Sequence, residues 1–179
     1  MLPAGPLMKE HRLIEKMIEI LKSGVVRIQE TGRFNPSFIE KTVDFFRIYA
    51  DRTHHGKEED ILFKALAQKK MSAPLATIME ELIREHVFAR DKVHSLEEAA
   101  QRFANDKTAL KDVAENIRTL TSFYPAHIQK EDKKFFLPAM DYLTDKEKNE
   151  MLGDFEQFDR KMIHEKYAQA IENFPEAAS

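Results

Sequence analysis

The chain has 179 residues, 42% hydrophobic and 33% charged, enough for one domain with a sizeable core. Its formal net charge of -3 leaves no basic footprint, so neither nucleic acid nor an anionic membrane surface is an expected partner. The absence of cysteine removes disulfides, thiolate ligands and thiol nucleophiles together, and fits a reducing compartment.

The opening MLPAGPLMKEHRLIEK has no basic stretch followed by an apolar run, and nothing approaches the roughly 18 consecutive apolar residues of a membrane span. A cytoplasmic protein is expected. From Leu7 to about Gln29, Leu7, Met8, His11, Ile14, Ile18, Leu21, Val25 and Ile28 recur at spacings of three and four, which predicts an amphipathic helix. After a break at 31–34, Asn35-Pro36 offers an N-cap and a proline at the first helical position, opening a second helix to about Lys69. Ser72-Ala73-Pro74 repeats the device for a third, to about Phe103. Asn105-Asp106 starts a fourth, with Val113, Ile117, Leu120, Tyr124, His127, Glu131 and Phe135 on one stripe. Pro125 should kink this helix without ending it, and Pro138 sits where it should stop. Thr144-Asp145-Lys146-Glu147 has the form of a capping box for a fifth helix, to about Glu172. No stretch alternates with period two. The expected fold is all-α: an up-down four-helix bundle over residues 1–142, with an additional C-terminal helix over 143–179 packed on it or extending it.

Seven histidines occur, and an internal repeat singles out two. His54 and His127 are each followed by Lys at +3, Glu at +4, an acidic residue at +5 and Phe at +9. Four residues along an α-helix amount to about 400° and roughly 6 Å of rise, so His54 shares a face with Glu58, and His127 with Glu131. One HxxxE alone is more often an exposed pair. Two in equivalent surroundings, with His11 and His86 on the apolar stripes of the first and third helices, point to a metal site. Burying Glu58 and Glu131 unpaired would cost on the order of several kcal/mol each, and two metal ions between imidazoles and carboxylates would remove that cost. Imidazole with carboxylate favours iron, manganese or zinc over calcium or magnesium.

The order His11, His54-x-x-x-Glu58, His86, His127-x-x-x-Glu131 resembles the hemerythrin-like (HHE cation-binding) domains, over residues from about 7 to 140. The resemblance implies a non-haem di-iron site with His11 and His54 on one iron, His86 and His127 on the other, and Glu58 and Glu131 bridging, with an oxo or hydroxo group between them. Manganese or zinc would satisfy the same donors. Dioxygen, peroxide or NO would be the small ligand. Oxygen-carrying members have a second His four residues after the one on the third helix, where this chain has Arg90. One iron thus loses a ligand unless Glu85 or water substitutes, which favours peroxide chemistry or sensing over carriage.

His55 and Glu59 are also four apart, but only the His54/Glu58 register aligns Lys57 with Lys130 and Phe63 with Phe136. His55 is then expected behind the ligands or at a helix interface, with Glu59 and Asp132 receiving imidazole N–H groups. His94 and His164 are expected to be structural, and the paired phenylalanines to form core and site walls. A ferritin-like centre needs Glu-x-x-His, which is absent, and no nucleophile or phosphate-loop motif occurs. A metal-free structural or partner-binding bundle and an iron-storage protein are the alternatives. The fifth helix is a candidate for dimerisation or for docking a separate signalling partner.

Overall fold

A computed structural model describes residues 1–159 and 161–175. Helix α1 spans Ala4–Thr31 and stops at Gly32, whose φ of 69° is the left-handed conformation that lets its N–H reach the Ile28 carbonyl at 3.0 Å. Helix α2 (residues 36–66) begins where Asn35 accepts a hydrogen bond from the Ser37 N–H, with Pro36 in the first turn. It is α-helical over Pro36–Asp44 and then winds as a wider π-helix over Phe45–His55 and Glu58–Phe63.

Helix α3 spans Ala73–Phe103. Asp106 caps a short 3-10 turn, Lys107–Ala109, which leads into α4 (residues 110–140). Helix α4 runs through Pro125 and past Pro138 to Met140, so Pro138 lies in its last turns and does not end it. Its residues Glu131–Phe135 are again π-helical. The Thr144–Glu147 capping box forms and opens α5, Asp145–Phe158. The predicted fifth helix is two: the backbone leaves the helical region at Asp159 (φ -95°, ψ 83°), and α6 follows over Lys161–Glu172.

Helices α1 to α4 pack as an up-down bundle, α4 against α1 and α3, and α2 against α3. No strand occurs among the described residues. Two apolar clusters fill the bundle. One holds Ile14–Ile28, Phe38–Ala50, Ala89–Ala99 and Val113–Ile128 side chains. The other holds Ala4, Leu7, Leu62, Phe63, Leu66, Leu75, Leu82, Phe135, Phe136 and, from α5, Met151 and Phe155. On every bundle helix the buried histidines lie at the boundary between the clusters, so a polar layer divides the core.

Candidate metal centre

The wider winding of α2 decides which side chains face the layer. In an α-helix, neighbouring residues diverge by about 100°, so His54 and His55 would not share a face. A π-helix bonds i to i+5 and turns less per residue, and such segments concentrate at functional sites. Thr53 follows this winding, its hydroxyl donating to the Ile48 carbonyl five residues back at 2.7 Å. His54 and His55 both turn inward and are each 1% exposed.

All six residues expected at the site are buried together: His11, His54, Glu58, His86, His127 and Glu131 are between 0% and 2% exposed. They fall into two groups whose donor atoms lie within 4.8 Å of one another, His11 with His54, Glu58 and Glu131, and His55 with His86 and His127. The carboxylates span the two. Glu58 Oε1 lies 3.4 Å from His54 Nε2, and its Oε2 lies 3.3 Å from His86 Nε2. Glu131 Oε2 lies 3.1 Å from His11 Nε2, and its Oε1 lies 3.3 Å from His127 Nε2 and 3.6 Å from His86 Nε2. His11 and His54 face each other through Nε2 atoms 2.9 Å apart.

Each imidazole is anchored through its other nitrogen. His11 Nδ1 donates to Asp132 at 2.7 Å, His54 to Glu10 at 2.8 Å, His86 to Glu59 at 2.6 Å and His127 to Glu85 at 2.8 Å. His55 Nδ1 reaches Asp51 at a looser 3.3 Å. The Nδ1–H tautomer leaves Nε2 as a lone pair aimed into the layer. Glu59 and Asp132 thus receive the N–H groups expected of them. Glu10 and Glu85, each directly before an inward histidine, were not foreseen in this role, and the third-helix gap is not filled by Glu85. Arg90 donates to Asp51 at 2.7 Å and to Glu59 at 2.8 Å, Lys130 donates to Glu85 at 2.6 Å, and Arg12 and Lys57 pair with Asp132 and Glu10. Lys57 also holds Asp159 at 2.8 Å.

The repeat extends to the rings that close the site, Phe136 stacking on His11 and Phe63 on His86. It breaks at His55, whose counterpart Ile128 is an ordinary core residue and whose ring stacks on His86 with centroids 3.9 Å apart. A cavity of about 160 Å³, lined by Asp51, His55, Arg90 and Tyr124 among others, borders this side of the layer. His94 pairs with Glu98 in a further, exposed HxxxE, and His164 hydrogen-bonds Tyr49 and Asp159 outside the layer.

Electrostatics strains the cluster unless positive charge enters it. Burial drives His54 down to about 4 and His55 well below the usual histidine value. Burial also opposes charge on His11, but the Asp132 hydrogen bond and the adjacent Glu131 carboxylate outweigh it and lift His11 to about 9. Burial and the neighbouring Glu131 charge hold Glu58 well above the carboxylate range. Burial works the same way on Glu131, yet the surrounding histidines keep it well below that range. Both oxygens of Glu58 and Glu131 and the Nε2 atoms of His55, His86 and His127 are buried without a hydrogen-bond partner among the described residues. Convergent buried lone pairs with no donor suit metal cations.

The sequence matches the family model described as the hemerythrin HHE cation binding domain over residues 3–137. It is 21% identical over 165 residues to uncharacterized proteins of Mycobacterium bovis and Mycobacterium tuberculosis, covering 92% of this chain. The chain spans 64% of the length of these relatives. No solved structure matches. No described helix is long and apolar enough to cross a membrane.

Proposed function

The chain belongs to the hemerythrin HHE cation-binding family, and from that premise we propose a cytoplasmic non-haem di-iron protein acting on a small molecule such as dioxygen, peroxide or NO. His11 and His54 would hold one iron and His55, His86 and His127 the other, with Glu58 and Glu131 supplying carboxylate oxygens to the same layer. The observation that carries this reading is the set of buried, unpartnered lone pairs on both carboxylates and three imidazoles. Iron bound by this donor set would supply reversible electron transfer to a small molecule.

The chain's own residues do the rest. Outer carboxylates fix each imidazole tautomer, Phe63 and Phe136 wall off water, and the paired apolar clusters keep the layer dry. His55 returns a third imidazole to the side on which Arg90 stands where oxygen carriers have a histidine. The cavity beside it, at about 160 Å³, favours a ligand of a few atoms. Metal quantification after iron-replete expression, with optical spectra before and after oxygen, peroxide and NO, tests the assignment. Two irons per chain with charge-transfer bands are expected, a lasting oxygen adduct indicating binding or sensing and turnover indicating peroxide or NO chemistry. A metal-free protein would instead be a structural bundle.

A further inference from the structure

We propose that Arg12, Lys57, Arg90 and Lys130 form a cationic layer behind the histidines that sets their donor strength and thereby the reduction potential of the iron they hold. The proposal rests on the metal-binding reading above. The observation is a motif repeated four times: imidazole, carboxylate, cation. His11–Asp132–Arg12, His54–Glu10–Lys57, His86–Glu59–Arg90 and His127–Glu85–Lys130 each link an inward ring to a positive charge through one acidic side chain. Asp51 behind His55 shares the Arg90 guanidinium.

A carboxylate accepting the Nδ1–H pushes electron density onto the ring and strengthens Nε2 as a donor. A cation on that carboxylate pulls the density back, so the proton stays on the imidazole and the ligand stays neutral. The arrangement is not inherited helix geometry alone. Lys57 and Lys130 are counterparts in the repeat, but Arg12 is one residue after its histidine and Arg90 is four after its own. Different positions deliver the same contact, so no single helix register accounts for it. The Lys57–Glu10 pair is not an ordinary surface ion pair, a kind that contributes little. Lys57 is 0% exposed and its carboxylate Glu10 is 4% exposed. Such burial of a lysine is costly unless it is paired, and Glu10 and Asp159 both pair it.

The test is redox titration of iron-reconstituted protein, followed through its charge-transfer absorption with metal per chain measured in parallel. Lys57→Met, Arg90→Gln, Lys130→Gln and Arg12→Gln should each keep two irons and titrate at a lower potential than the parent. The shift should be largest for buried Lys57 and smallest for Arg12, whose side chain is 53% exposed and screened by water. Arg90→Lys and Lys130→Arg should restore the parent value, and these pairs decide the matter where Lys57→Met does not fold. Unchanged potentials with both irons retained, or conservative variants behaving like the neutral ones, would overturn the proposal alone. A parent that binds no iron would remove the metal reading and this proposal with it.

Discussion

His55 is the residue on which the donor set turns. Its Nε2 converges with those of His86 and His127, so His55→Ala should weaken metal binding on that side and leave about one tightly held metal per chain. His94→Ala, which breaks the exposed HxxxE pair, should leave metal content unchanged. Metal analysis after dialysis against a chelator checks both, and equal loss from the two variants would remove His55 from the donor set. The burial of Glu58 was legible, since it lies in the layer while Glu59 faces His86 Nδ1 and Arg90. His55 was not, because face assignments from sequence presume 100° per residue and α2 abandons that winding at Phe45. Glu10 and Glu85 escaped notice because the acceptor for a ring N–H comes from a different helix, a relation that one helix's periodicity does not encode.

Among the helices, starts were legible at Asn35, Asp106 and Thr144, which all act as N-caps, whereas Ser72 makes no side-chain capping bond and Pro138 does not end its helix. The break at Asp159 has no comparable signal, since it follows from a tertiary pull: Asp159 holds Lys57, which lies on another element. Packing between α1 and α2 is tight at Gly24, where a β-carbon would collide with the Phe38 ring. Alanine there gains roughly 1 kcal/mol of helix propensity, but overpacking costs about 1–3 kcal/mol, and the buried ring has nowhere to move. Gly24→Ala should therefore lower unfolding free energy by up to about 2 kcal/mol. Gly153→Ala on α5, with nothing within 4 Å of the added carbon, should raise it by up to about 1 kcal/mol. Denaturant unfolding of the two variants should thus move in opposite directions, and a shared sign would show that propensity, not packing, governs both.

For the whole molecule, the bundle and its inward histidines could be read from the chain because hydrophobic period and His-x-x-x-Glu spacing share the helix's own geometry. The internal repeat of α2 on α4 could be read as well, and it extends further than the His-x-x-x-Glu pairs. Behind the layer Lys57 and Lys130 play one role, and at its edge Phe63 and Phe136 play another. The asymmetry, with His55, Asp51 and Arg90 on one side and Ile128 opposite, emerges only in three dimensions.

The polar layer that divides the core into two apolar clusters also bears on cooperativity. Four helices cross it, so each cluster is built from both halves of the chain, and between the clusters the side chains of the layer form the packing that joins them. Without cations the layer holds lone pairs facing one another and two carboxylates at odds over a proton, a weak joint between two sound pieces. Hydrogen exchange should then show two sets of amides opening with different free energies, one on each side of the histidines. On adding ferrous iron the two sets should merge into one, so that the ends of the bundle unfold as a single unit. Identical exchange profiles with and without metal would mean that the clusters are already coupled through the backbone alone.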